Sequence, residues 1–243
     1  MRHKITFPNI FFFVILFSTS LAWGRFYVGV EGGYMRDRSI YIYEDNSGET
    51  TTGREENWEK ELIGNGVAIS LILGTEHFFG KNRYGIRWGI LGNYGITQSK
   101  NSHWGNVALS TLGLGVNSDF IFNFYIKDEL TSGVFAGIEY DFTLLKPNRE
   151  ISIGERATNT LPKKDMLVSN KTHINNLSVR FGFSTLLKNH HRLEILAKIP
   201  FYLQQHSQHF VMQGQIWNGA KDDRKYTFKY QYFQILLGYK YVF

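Results

Sequence analysis

The 243-residue sequence contains no cysteine, only four prolines, and no long apolar run after its N-terminus. The absence of cysteine excludes disulfide scaffolds, thiolate zinc sites and cysteine nucleophiles. A membrane helix needs about 20 consecutive apolar residues, so the sequence does not favour a helical membrane protein. It is instead rich in glycine (24), phenylalanine (20) and tyrosine (14). This composition favours one all-β domain. Apolar and polar residues alternate along the strands of a membrane barrel, so its mean hydropathy is low even though one face of each strand is apolar.

The first 22 residues have the pattern of a secretory signal peptide. Arg2 and Lys4 precede an apolar core at 10–17, and the small residues Ser20 and Ala22 precede a predicted cleavage site. We therefore predict a signal peptide at 1–22 and a single mature domain at 23–243. Removing the two basic residues lowers the formal net charge from +6 to +4. That excess is small and scattered, which argues against a nucleic-acid partner.

The last stretch of the chain alternates strictly between apolar or aromatic residues and other residues. A period of two predicts a strand with one apolar face. This ending resembles the closing strand of bacterial outer-membrane barrels, in which the aromatic C-terminal strand is the assembly signal. We predict that role for Phe233, Ile235, Leu237, Tyr239, Tyr241 and Phe243.

The same alternation predicts seven further strands, at 26–35, 67–77, 84–96, 107–124, 133–144, 177–187 and 193–201. Long polar connections alternate with short ones at 79–83, 125–132 and 188–191. Long extracellular loops and short periplasmic turns are typical of even-stranded outer-membrane barrels. We therefore predict an all-β fold, an eight-stranded antiparallel transmembrane β-barrel of the outer-membrane type. The alternative is a lipocalin-like soluble barrel, whose apolar face would point inward. Within the first polar connection, the spacing of Trp58, Leu62 and Ile63 favours a helical turn.

If the apolar faces contact lipid, the opposite faces carry eleven charges into the barrel: Glu31, Glu76, Arg87, Asp119, Glu139, Asp141, Arg180, Arg192, Glu194, Lys198 and Lys240. An eight-stranded barrel is only wide enough for its own side chains, and unpaired ions there are costly. The pattern therefore predicts an internal network of ion pairs and hydrogen bonds. The alternative is a charged channel for ions or small solutes.

No catalytic or metal-binding constellation emerges from the histidines. His77, His103 and His173 have no serine at a spacing that predicts a catalytic triad. The pairs His190/His191 and His206/His209 fall at opposite ends of the predicted barrel, so they cannot share an ion. We predict no catalytic residue, no metal and no cofactor.

Two of the long connections differ in charge. Residues 37–64 contain eight acidic and three basic residues, whereas residues 146–171 contain six basic and three acidic ones. These loops either lie against each other or form a divided surface. A divided surface would present bases to lipopolysaccharide phosphates and acids to cations or a host ligand. The expected partners are outer-membrane lipid and lipopolysaccharide, the outer-membrane assembly machinery, and a host or surface ligand.

Several segments resemble the Helicobacter outer membrane protein family: FYVGVEGGY at 26–34, YGIRWGILGNYG at 84–95, GLGVNSDFIFNF at 113–124, SGVFAGIEY at 132–140, HHRLEILAKIPFY at 190–202, and the terminal GYKYVF. The resemblance implies an outer-membrane barrel with porin-type or adhesin-type relatives. This chain has no room for the long inserted domain of the adhesins. The expected function is a non-enzymatic envelope or surface protein that displays its loops. A narrow porin is the first alternative, and a lipid-modifying enzyme is the second.

Overall fold

In the computed structural model, the described residues are 24–45, 58–101, 105–147, 172–201, 204–212 and 222–243, and the predicted signal peptide lies outside them. None of the described residues belongs to a helix that is long and apolar enough to cross a membrane. They form nine strand segments: β1 Arg25–Asp45, β2 Trp58–Phe79, β3 Tyr84–Asn101, β4 Gly105–Lys127, β5 Leu130–Pro147, β6 Thr172–Leu187, β7 His191–Pro200, β8 Gln204–Met212 and β9 Asp222–Val242.

These segments close into an eight-stranded antiparallel barrel. Consecutive strands pair from β1 to β7, and β9 pairs with β1 to close the wall. β7 and β8 both pair with β9, but β7 pairs with residues 234–241 and β8 with residues 222–230. The two segments therefore share one position in the wall, and the predicted eight-stranded fold is confirmed. The first of them, β7, ends at Pro200, which has no N–H to donate.

The strand register fixes the shape of the barrel. Following cross-strand partners once around the wall from Arg25 leads back to β1 at Met35, ten residues further along. A shear of ten over eight strands corresponds to a tilt of about 41° and a radius of about 8 Å for typical strand spacing and rise. That tilt lies within the range of transmembrane barrels, and side chains fill an interior of that radius.

An apolar band surrounds the outside of the barrel. Leu71, Leu114 and Leu237 are 68%, 69% and 67% exposed, so the alternative of an inward apolar face is wrong. Aromatic residues flank the band, for example Tyr84 near the short turns and Tyr94 higher on the same strand. The ten residue steps from Tyr84 to Tyr94 span about 25 Å along the axis, which is the height of the apolar band in outer-membrane barrels.

The strands continue far beyond this band on the side of the long connections. β1 and β2 remain paired from Asp37 and Gly64 up to Tyr43 and Trp58. In the predicted polar connection at 36–65, the described residues 36–45 and 58–65 are therefore strand, and the helical turn predicted from Trp58, Leu62 and Ile63 is wrong. β8 likewise lies within the predicted fourth connection, 204–225. Outside the lipid, neither face of a strand needs apolar residues. The alternation in the sequence therefore ends at the membrane edge, although the hydrogen bonds between the strands continue.

The short connections form tight turns at the opposite end, as predicted. They comprise 80–83, 128–129 and 188–190. Asn82, Asp128 and Asn189 adopt positive φ angles of 65°, 43° and 61° there. Asn and Asp tolerate this left-handed conformation better than most residues do. This end of the barrel is the periplasmic one.

Candidate functional site

The candidate site is the interior of the barrel, where the alternation of each strand directs its charged residues inward. All eleven charges selected from the sequence are less than 5% exposed in the structure: Glu31, Glu76, Arg87, Asp119, Glu139, Asp141, Arg180, Arg192, Glu194, Lys198 and Lys240. Eight of them form one continuous set of ion pairs, which we call the central network: Glu31, Arg87, Asp119, Glu139, Arg180, Glu194, Lys198 and Lys240. Four acids and four bases make it formally neutral.

Arg180 lies at the centre of this network and contacts three carboxylates. Its guanidinium nitrogens are 2.8 Å from Glu31, 3.0 Å from Asp119 and 2.6 Å from Glu139. These carboxylates come from β1, β4 and β5. The planar guanidinium has five N–H donors, which is why an arginine can join three strands at one point.

Two closed circuits of ion pairs pass through Arg180. The larger continues from Asp119 to Arg87, with 2.7 Å between Asp119 Oδ2 and an Arg87 nitrogen, and then to Glu194. Lys240 then contacts both Glu194 and Glu31, the latter at 3.1 Å. Glu31 in turn contacts Arg180, which closes the circuit.

The smaller circuit passes through Lys198, which lies 2.8 Å from Glu139 and 3.2 Å from Glu31. As a result, every member of the central network has at least two partners of opposite charge.

A separate group lies closer to the periplasmic end. Arg192 is 2.9 Å from Glu76 and donates a hydrogen bond of 2.8 Å to Ser184 Oγ. Arg25 also contacts Glu76, at 2.8 Å, and its side chain is 35% exposed. Sequence reasoning missed Arg25, since it precedes the alternating residues of β1.

Asp141 does not join these ion pairs. Among the described residues it accepts hydrogen bonds from Asn93 Nδ2 at 2.7 Å and Tyr232 Oη at 2.9 Å. Asp37, which we assigned to a loop, is instead an inward residue of β1 and is 2% exposed. Continuing the odd-numbered face of Tyr27 and Glu31 up the strand would have identified it.

Aromatic rings pack against the network from within the lumen. The guanidinium carbon of Arg87 is 4.8 Å from the centre of the Phe135 ring and 5.8 Å from that of Tyr27. Tyr27 donates its hydroxyl to the carbonyl of Trp88 at 3.0 Å. With ion pairs and rings filling a narrow cross-section, this level of the barrel is a neutral, hydrogen-bonded plug.

The interior above the plug has a different lining. It combines hydroxyl and amide side chains with apolar and aromatic ones. The polar residues are Ser39, Asn93, Thr97, Ser99, Thr111, Thr143, Asn176 and Thr227, and the apolar and aromatic ones include Met35, Leu109, Leu145, Ile174, Tyr230 and Tyr232. Asp37 and Asp141 add two buried carboxylates to this region. The polar side chains of this mixed lining can hydrogen-bond to water.

The six residues selected as an assembly signal all lie on the outward face of β9 or directly follow it. Ile235, Leu237 and Phe243 are 46%, 67% and 63% exposed. Phe243 donates its backbone N–H to the carbonyl of Phe26 at 2.8 Å, and the centres of their rings are 5.6 Å apart. This contact joins the first and last strands of the wall. A role in assembly remains a prediction.

A closed antiparallel barrel with an outward apolar band, flanking aromatic residues and short turns at one end defines an outer-membrane β-barrel protein. The model of the Helicobacter outer membrane protein family matches residues 70–243. The chain belongs to this family, and the protein is located in the bacterial outer membrane. Among curated proteins, none matches the sequence.

Three solved structures are among those that match this chain at low sequence identity. OprG from Pseudomonas aeruginosa has 10% sequence identity and a TM-score of 0.44, with 91% of this chain and 97% of that chain covered. Neisserial surface protein A has 12% identity and a TM-score of 0.37, with 90% and 97% covered. The attachment invasion locus protein Ail of Yersinia pestis has 11% identity and a TM-score of 0.28, with 91% and 99% covered.

Proposed function

We propose that this envelope protein is a non-enzymatic surface protein, in which a closed barrel anchors extracellular loops for contact with lipopolysaccharide or a surface ligand. The observation that carries this proposal is the central network, in which each charge has at least two partners of opposite sign. A permeating ion would have to separate several of these pairs. Removing one partner from a buried pair typically costs about 3–5 kcal/mol, so a continuous path is strongly disfavoured.

The height of the wall also favours a display function. From Tyr34 at the upper edge of the apolar band, β1 continues for eleven residues to Asp45. At the tilt derived above, that length rises about 27 Å beyond the membrane. The paired strands therefore carry the attachment points of the loops well away from the lipid surface, toward the sugars of lipopolysaccharide or an approaching ligand.

The test compares two shortened loops of opposite charge in an otherwise unchanged barrel. Residues 148–171 carry five basic and three acidic side chains, and residues 46–57 carry one basic and three acidic ones. Each segment is replaced by a short Gly-Ser linker, and the variants are reconstituted in vesicles. The probe is a surface coated with purified lipopolysaccharide. We expect both variants to migrate as folded, heat-modifiable barrels, and only the loss of 148–171 to reduce attachment.

Equal attachment by both variants and the intact protein would contradict the role of the basic loop. Failure of both variants to fold would contradict the separation of anchor and loops.

A narrow porin is the second candidate function. The observation that favours it is the set of hydroxyl, amide and carboxylate side chains within the mixed lining above the plug, which can hydrogen-bond to water. In this alternative the central network would have to open, and discrete channel currents would reveal it.

A further inference from the structure

A groove of about 570 Å³ lies on the outside of the barrel at its periplasmic end. It is formed between the β4–β5 and β6–β7 hairpins, with Tyr125, Leu130 and Leu187 among its apolar lining residues. Its volume falls in the range typical of small-molecule sites, about 300–1,000 Å³. The groove is far along the barrel axis from the extracellular loops and outside the lumen.

A β-bulge in β4 creates one wall of this groove. The register between β4 and β5 shifts between Asn123 and Tyr125. Because of the extra residue, Phe124 and Tyr125 both face outward, with 56% and 43% exposure. Lys127, two residues further, then also lies on the outer face. A bulge of this kind re-aims the side chains that follow it.

The two hairpins are held together at this point. The backbone N–H of Lys188 donates to the carbonyl of Glu129 at 2.7 Å. On the far wall, His191 Nδ1 and the Tyr239 hydroxyl form a hydrogen bond of 2.9 Å. These contacts link the turn between β4 and β5 to β6, β7 and β9, so the groove is preformed.

The charges around the groove are of both signs. Lys127, Lys188 and His191 provide basic groups, and Asp128 and Glu129 provide carboxylates. All five side chains are exposed. A purely anionic ligand would meet the two carboxylates, and a purely cationic one would meet the lysines. The arrangement is complementary to a zwitterion.

The groove lies at the level of the membrane surface. Just above it on the outer face, Phe124 and Phe183 pack with their ring centres 6.1 Å apart and belong to the periplasmic aromatic girdle. Aromatic girdles lie at the level of lipid headgroups. The apolar wall of the groove is thus continuous with the surface that contacts acyl chains.

We propose that this groove binds the headgroup of a phosphatidylethanolamine molecule from the periplasmic leaflet. Lys127 and Lys188 would hold the phosphate, and Asp128 and Glu129 would accept hydrogen bonds from the ammonium group. The acyl chains would lie along Tyr125 and Leu187. A choline headgroup has no N–H to donate, and a glycerol headgroup has no positive charge, so both bind more weakly.

The test is lipid retention by the full-length mature protein, measured by native mass spectrometry after release from nanodiscs containing equal amounts of phosphatidylethanolamine, phosphatidylglycerol and phosphatidylcholine. We expect the intact protein to retain phosphatidylethanolamine preferentially. The double variant K127Q/K188Q should reduce this retention by roughly fivefold or more, a factor that corresponds to about 1 kcal/mol. The variant D128N/E129Q should abolish the preference over phosphatidylcholine.

The matched control is K81Q/R83Q. It also removes two positive charges, but from the neighbouring β2–β3 turn, which is at the same end of the barrel and outside this groove. Heat-modifiable migration checks that every variant is folded. The proposal is overturned if the control lowers retention as much as K127Q/K188Q does. It is also overturned if the intact protein retains the three lipids equally.

Discussion

Replacing Arg180 with methionine removes the residue that joins three strands across the lumen. Glu31 and Glu139 keep lysine partners, and Asp119 keeps Arg87. The central network nevertheless changes from four bases and four acids to three bases and four acids. One negative charge is then left without compensation at a site where Arg180 itself is completely buried.

The expected cost is the penalty for an uncompensated buried charge, about 3–5 kcal/mol of the free energy of unfolding. A second substitution, Glu139→Gln, returns the network to three acids and three bases. The double variant R180M/E139Q should therefore be more stable than R180M alone, although it has lost one more ion-pairing group. The coupling between the two positions should be about 1–3 kcal/mol.

The assay is urea unfolding of the refolded barrel in lipid vesicles, followed by tryptophan fluorescence and by heat-modifiable migration on a gel. The control is Arg25→Met, since Arg25 is partly exposed and its partner Glu76 keeps Arg192. We expect the control to lose no more than about 1 kcal/mol. A loss for R180M as small as that of the control would refute this account of the interior. A double variant less stable than R180M would refute the explanation by charge balance.

Three further predictions concern the wall. Gly66→Ala should destabilise the barrel by about 1–3 kcal/mol in the same assay, because the added Cβ would collide with a backbone carbonyl of β3. The control Gly92→Ala should be neutral, since the nearest atom to its added Cβ is 3.9 Å away. Leu71→Arg, in the middle of the apolar band, should lower the free energy of unfolding by about 2–4 kcal/mol. Gln98→Arg, at an exposed position above the band, should change it little. Equal losses for the two variants would contradict the position of the membrane. If the C-terminal strand is an assembly signal, as we propose, Phe243→Ala should lower the fraction of folded barrel in cells several-fold. The refolded variant should lose only about 1 kcal/mol of its free energy of unfolding. An unchanged cellular fraction would contradict that role.

The sequence predicts the membrane-facing part of the wall well, for a physical reason. Within lipid the outward residues must be apolar, and residues such as Ile86, Trp88 and Ile90 alternate with Arg87 and Gly89 on the opposite face. This requirement ends at the edge of the bilayer. Above the bilayer edge, Arg36 and Arg38 face outward, and β1 continues with an unbroken register of pairing to β2. Periodicity therefore underestimates the height of the barrel and misses Asp37.

The partners of each interior charge were not readable from the sequence. Alternation identifies Arg180 as an inward residue, but its contacts with Glu31, Asp119 and Glu139 depend on the shear of ten residues around the barrel. Glu31 lies 149 residues away along the chain. Shear results from the pairing of all strands together, so no single segment contains it. The bulge after Asn123, which forms the periplasmic groove, is hidden for the same reason.

The most direct test of the closed interior is single-channel recording of the refolded mature protein in a planar bilayer, after its compact migration has been checked. The central network predicts a folded barrel without discrete openings. Defined openings whose size changes when Arg87 or Glu139 is substituted would contradict the closed plug and make the protein a narrow porin.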